Sequence, residues 1–160
     1  WGKLRHMYKG GEGGPELAVL AVEVRCWGGV LEHPASSLLW AECALPRPGD
    51  PPDDFGGWTE RIDQCDFGHV ARKPTWIYCV RVKREQAAWR PPKRHPTHWV
   101  SGRHKRPSAE QLARWGMGSK STPGVCPAHI KICSSQQRKR TPKPCAEWLV
   151  SLAATAEALA

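Results

Sequence analysis

The run TWIYCV, Thr75–Val80, places the firmest limit on how this chain folds. Its β-branched and aromatic residues follow one another without a Gly or Pro, which is the pattern of a strand. Thr59–Cys65 reads as a second strand, and Phe67-Gly68-His69 turns the chain between the two. Strands that close in sequence predict a hairpin, placed at the edge of a sheet.

Upstream, KGGEGG at 9–14 is a flexible loop, and Pro15 opens a helix where its missing N–H costs nothing. Leu17, Leu20, Ala21 and Val24 fall on one face at helical spacing, and Gly28-Gly29 ends the helix. The stretch GGVLEHPASSLLW, Gly28–Trp40, follows. Val30–Glu32 is predicted to be a short buried parallel strand that ends on an acid. Such a strand either leaves the core or presents a reactive group. Ser36 or Ser37 caps a short second helix through Cys43. Leu45–Trp58, rich in Pro, Gly and Asp, is expected to be a loop ordered only in part.

The character changes at residues 81–106, where nine residues are Lys or Arg and only Glu85 is acidic. Prolines exclude a long helix, so this is an exposed basic insertion with Trp89 and Trp99 interleaved. Residues 107–140 read as polar and irregular. Thr141 caps and Pro142 opens a last helix to about Ala158, with Ala146, Leu149, Val150 and Ala153 as its apolar face. No internal repeat is present. The predicted order of helix, strand, helix, hairpin, basic insertion and helix suits the second half of an α/β sheet. It divides the chain into a core at 1–81, an irregular insertion at 82–140, and a returning helix at 141–160.

With 160 residues and 40% hydrophobic content, the chain is long enough for one domain with a core. Its formal net charge of +9 makes nucleic acid the first partner to expect, ahead of an anionic membrane surface. No apolar stretch reaches membrane-spanning length, and no signal-peptide pattern opens the chain. Seven scattered cysteines fit free thiols in a reducing cytoplasm. The start at WGKLRHMY, without Met, suggests a fragment beginning inside a domain. The sequence leaves the oligomeric state open.

The stretches WGKLRH, GGVLEHPASSLLW, FGGWT, QCDFGHVARKPTWIY and RTPKPCAEWLV resemble, in order and spacing, the C-terminal part of phage-type DNA cytosine methyltransferase-like proteins. The resemblance covers most of the chain outside roughly 82–135. It implies a partial Rossmann-like methyltransferase sheet with a C-terminal antiparallel hairpin, S-adenosylmethionine as cofactor of the full-length parent, and DNA as substrate. Glu32 in LEHP matches the family's catalytic glutamate, with His33 in place of the usual Asn. In the implied mechanism a thiolate attacks cytosine carbon 6 while this acid hydrogen-bonds ring nitrogen N3. Gly68, Arg72 and Lys73 match the family's glycine turn and the basic position before the second hairpin strand.

The family's Pro-Pro-Cys loop and glycine-rich cofactor segment have no counterpart in this sequence, so the chain alone is expected to be inactive and its cofactor-binding residues are unassigned. Base flipping needs phosphate anchors. Arg81, Lys83, Arg84, Arg90, Lys93 and Arg94 are the candidates, with Trp89 or Trp99 as stacking surfaces.

Three other readings fit parts of the sequence. A non-catalytic basic nucleic-acid-binding module explains the charge without the chemistry. Cys126, His129 and Cys133, with His95 or His98, form an incomplete zinc pattern, and no metal is assigned. Ser36-Ser37 beside His33 and Glu32 has hydrolase residue types, but a triad is set by geometry and sequence neighbours rarely form one.

Overall fold

TWIYCV is the centre of a sheet. In the computed structural model, which describes residues 14–99, residue 110 and residues 131–156, the strand β3 spans Pro74–Val80. It lies between β1 (Gly29–Pro34) and β2 (Trp58–Asp63) in a three-stranded antiparallel sheet of order β1-β3-β2. Thr75, Ile77, Tyr78, Cys79 and Val80 are all completely buried, which only a strand covered on both faces allows. The predicted hairpin therefore contributes the central strand, and of its two strands only β2 lies at an edge, with β1 at the other.

The other elements are the helices α1 (Gly14–Trp27), α2 (Leu39–Glu42), α3 (Arg84–Ala87), α4 (Ser135–Lys139) and α5 (Lys143–Ala153), and the short strands β4 (His98–Trp99) and β5 (Lys131–Ile132). Among the described residues no helix is long and apolar enough to cross a membrane. The chain divides into two compact units, one of residues 1–62, 75–89 and 148–160, the other of residues 63–74 and 90–147.

In the first unit, α1 ends at Gly28, whose N–H donates to the Val24 carbonyl over 2.9 Å while its φ of +83° turns the chain left-handed. The chain then enters β1, which corrects the sequence expectation twice. β1 pairs antiparallel with β3, Leu31 opposite Tyr78 and Glu32 opposite Ile77. It also runs on through Pro34, so Glu32 sits within the strand and not at its end. The tripeptide Val30–Glu32 carried no periodicity from which the pairing direction could be read.

The α1 face that meets the core keeps the expected Ala21 and Val24 but not Leu20. Ala18 and Ala21 are buried, whereas Leu20 is 48% exposed. Small alanines let the helix approach closely, and Ala21 joins Leu31, Leu39, Trp40, Leu45, Tyr78 and Val80 in one apolar cluster. Trp40 packs tilted against Trp76 with ring centroids 5.2 Å apart, and its indole N–H donates to the Pro34 carbonyl. The Ser37 hydroxyl accepts from the Leu39 N–H ahead of α2, but the N-cap of that helix is Leu38, which makes no side-chain cap, and the helix ends at Glu42 with Cys43 as its C-cap.

The loop expected to be only partly ordered is anchored at Asp53. Asp53 Oδ1 accepts from the Phe55 and Gly57 N–H groups, and Oδ2 accepts from Arg25 and from the Tyr78 hydroxyl. Arg25 also lies over the Phe55 ring, 4.9 Å from its centroid.

In the second unit the hairpin connection is folded on Asp63. Its carboxylate accepts from Cys65 N–H, Lys73 N–H and the Arg72 guanidinium. Gly68 has a φ of +103°, where the sequence placed a turn. β4 and β5 pair in parallel. α4 falls where an irregular segment was expected. Ser134 and Gln137 form a reciprocal capping box at its start, and the S-x-x-Q spacing that signals it was present in the sequence.

The last helix, α5, begins within a residue of Pro142, as expected, but its apolar face is displaced. Cys145 and Leu152 are buried, and Val150 is 70% exposed. Positions 145, 149 and 152 share one face, and larger Cys and Leu side chains displace the alanines chosen from spacing alone.

Candidate nucleic-acid interface

Three of the expected DNA-contacting residues meet in one cleft. Arg72, Lys93 and Arg94, with His95 and Pro96, line a cavity of about 270 Å³ floored by Asp63, Cys65 and Asp66. All belong to the second unit.

The cleft carries a small excess of positive charge, with Arg72, Lys93 and Arg94 set against Asp63 and Asp66. Asp63 accepts from the three donors described above and forms an ion pair with Arg72, Nε at 2.9 Å. Asp66 Oδ1 accepts the Arg94 backbone N–H at 3.1 Å. Lys93 and Arg94 have exposed side chains, and neither forms an ion pair among the described residues. A cleft so built offers two positive heads to an anion, with Arg72 fixed behind them by Asp63.

Cys65 does not add nucleophilic chemistry to the cleft. Burial first, and then the Asp63 and Asp66 charges, push its thiol up to about 11, so it is neutral near pH 7. Its Sγ lies 3.6 Å from the Arg94 carbonyl.

The remaining expected residues have other neighbours. Lys73 Nζ donates to the Arg140 carbonyl just beyond α4, away from the cleft lining. Arg81 donates to the Cys26 carbonyl near the C-terminus of α1, a helix-capping contact. Arg84 stacks over Trp58 at 4.8 Å. Lys83 precedes α3 and is exposed, and Arg90 is half-buried. Glu32 is half-buried on β1, in the first unit. Trp89 packs against Trp148, centroids 6.4 Å apart, a partner its sequence position gave no means of finding.

The side chain of Trp99, the stretch WGKLRH, and the residues Cys126 and His129 lie outside the described residues. Cys133 is buried, and burial raises its thiol pKa. Among the described residues no group of three His, Cys, Asp or Glu is placed to hold a metal ion.

Sequence reasoning also missed His69. It is buried, with Nδ1 2.7 Å from the Ala71 carbonyl and Nε2 2.9 Å from that of Gln137. The described residues do not fit S-adenosylmethionine. The paired glycines Gly28-Gly29 and Gly56-Gly57 both lead into strands, β1 and β2, whereas a cofactor cradle needs a glycine turn leading from a strand into a helix.

No protein-family model, curated protein or solved structure matches this chain.

Proposed function

We propose that this chain is the DNA-holding part of an S-adenosylmethionine-dependent DNA cytosine methyltransferase-like protein, and that the cleft of Arg72, Lys93 and Arg94 grips the phosphate backbone. The observation carrying the DNA contact is the disposition of charge: Asp63 is paired with Arg72, while Lys93 and Arg94 together outnumber the remaining acid, Asp66, and both of their side chains are exposed. The methyltransferase part rests on the motifs quoted above and on one pairing. The second hairpin strand, β3, runs directly beside β1, the strand that carries Glu32. On this reading the three strands belong to a Rossmann-like sheet, and Glu32 hydrogen-bonds N3 of an extruded cytosine.

Binding of labelled duplex DNA, followed by anisotropy between 50 and 200 mM salt, tests the cleft. Affinity is expected to fall with a log-log slope of about −0.9 per phosphate contacted. The double variant Lys93→Gln/Arg94→Gln should make that slope shallower by about 2. Salt-independent binding, or an unchanged slope in the variant, would remove the cleft from the interface.

A duplex with one unpaired cytosine tests Glu32, because the cost of extrusion is then already met. Tighter binding of that duplex, lost in Glu32→Gln, supports the methyltransferase reading. Equal affinity for both duplexes leaves the non-catalytic nucleic-acid-binding module.

A further inference from the structure

Between Cys133 and Ala146 the chain carries Arg138, Lys139, Arg140 and Lys143 and no acid. Lys139 ends α4, Arg140 is its C-cap and Lys143 begins α5, and all three are exposed. The nearest acid in sequence, Glu147, approaches Lys143 at 3.5 Å with both side chains open to water, so that pair is weak and screened by salt. We propose that the α4–α5 turn is a second phosphate-contacting surface for DNA, formed by Lys139, Arg140 and Lys143. None of these residues lines the cleft of Arg72, Lys93 and Arg94. The proposal rests on the nucleic-acid reading above and adds a surface that this reading does not require.

The turn is held through its backbone. At the start of α4 the Ser134–Gln137 capping box satisfies two N–H groups. At its end, His69 Nε2 lies 2.9 Å from the Gln137 carbonyl, and Lys73 Nζ donates to the Arg140 carbonyl at 3.1 Å. His69 and Lys73 both come from the hairpin connection, which also gives Arg72 to the cleft, and all of these residues belong to the second unit. A row of cations on a fixed backbone meets phosphates at a lower entropic cost than a loose basic segment does. The charge suits a polyanion, and the neighbouring side chains select which one. α4 reads SQQRK, without an apolar residue, whereas a basic helix that docks on a membrane inserts an apolar face. Ser135 and Gln136 are exposed polar groups of the kind that hydrogen-bond phosphate and sugar oxygens. Ser135 Oγ accepts from Arg138 at 3.3 Å, so its own proton is available to a phosphate oxygen.

The test uses the full chain and labelled duplex DNA, followed by anisotropy over a salt titration. Lys139→Gln/Arg140→Gln should weaken binding and make the log-log slope shallower by about 2. Arg47→Gln/Arg61→Gln removes the same charge from exposed positions of the first unit and should leave the slope unchanged. His69→Ala keeps every cation and releases the turn from its support, so it should weaken binding at an unchanged slope.

An unchanged slope in Lys139→Gln/Arg140→Gln, with a shallower one in Lys93→Gln/Arg94→Gln, would overturn the turn and spare the cleft. An equal loss of slope in Arg47→Gln/Arg61→Gln would overturn the turn as well, because net charge alone would then account for the effect. No binding of duplex by the wild-type chain at low salt would overturn both surfaces. Co-sedimentation with phosphatidylserine vesicles that Lys139→Gln/Arg140→Gln abolishes, with DNA binding unaffected, would assign the turn to a membrane instead.

Discussion

The Tyr78 hydroxyl donates to Asp53 Oδ2 over 2.7 Å, tying the central strand of the sheet to the Pro- and Gly-rich loop that precedes β2. Burial disfavours the Asp53 carboxylate. Hydrogen bonds from Tyr78, the Gly57 N–H, Arg25 and the Phe55 N–H outweigh that effect and hold its pKa below the usual range. Burial, reinforced by Asp53, pushes the Tyr78 phenol well above its ordinary value, so it remains a donor at any physiological pH.

A depressed carboxylate stabilises the folded state above its unfolded pKa of about 3.9, and that contribution is lost as pH falls through the lower folded value. Wild-type protein should therefore lose stability in that acid window, and Asp53→Asn should lack this part of the loss. At pH 7, Tyr78→Phe should cost about 2 kcal/mol, because a hydrogen bond to a charged group disappears from a half-buried site. Urea midpoints measured from pH 7 to pH 3 check both expectations. An acid limb of the same steepness in Asp53→Asn would show that the carboxylate is not under this load.

Gly57 lies against the same tyrosine. A Cβ built there would collide with the Tyr78 hydroxyl and ring. The ring cannot retreat, because Tyr78 is completely buried on the central strand. Gly57→Ala is expected to destabilise by about 1–3 kcal/mol, the usual cost of overpacking. Combining it with Tyr78→Phe should recover part of the loss, since the hydroxyl is one of the colliding atoms. A fully additive double variant in urea unfolding would contradict that coupling.

These contacts show where the sequence was legible and where it was not. TWIYCV carries its strand identity in local chemistry, and Gly28 carries its helix stop, so both follow from residue types. The centre position of β3 and the antiparallel direction of β1 depend on partners distant in the chain. So does the order of the Asp53 loop, because Arg25 and Tyr78 lie 28 and 25 residues away from it. The departures at Leu20 of α1 and on the face of α5 have a related cause: apolar spacing allowed two neighbouring faces, and the choice between them was made by what packs opposite. In the cleft, Arg72, Lys93 and Arg94 were visible as charge. The pairing of Asp63 with Arg72, which leaves Lys93 and Arg94 facing only Asp66 among the acids of the cleft, was not. Residues 81–94 read as one basic run, yet Arg81 caps α1 and Arg84 stacks on Trp58.

His69 should matter more to its unit than one turn residue normally would. Its ring spans the Ala71 and Gln137 carbonyls, linking the hairpin connection to α4. His69→Ala removes the ring's contacts with Ala71, whose N–H donates to Nδ1, and with Gln137, and leaves buried backbone groups without them, at a cost of about 1–3 kcal/mol. Hydrogen exchange localises the effect. Protection of the α4 amides should fall in the variant while that of β3 is retained. Unchanged protection in α4 would mean that the Ser134–Gln137 capping box holds the helix unaided.

Thiol reactivity provides a direct check on the cleft floor. Cys26 is exposed, Cys43 half-buried, and Cys65, Cys79, Cys133 and Cys145 are buried. Alkylation requires the thiolate, and the Cys65 thiol is held up to about 11, first by burial and then by Asp63 and Asp66. Brief iodoacetamide treatment at pH 8, followed by peptide mass spectrometry, should modify Cys26 first among the six cysteines of the described residues and leave Cys65 intact. Because a raised thiol pKa withholds the thiolate until the pH approaches it, Cys65 labelling should climb only in strongly alkaline solution. Replacing Asp66 with Asn should bring that rise to lower pH by removing one repelling charge. Rapid modification of Cys65 at pH 8 in the folded protein would mean that the cleft is open beneath Arg94, and a thiol there would again be a candidate nucleophile.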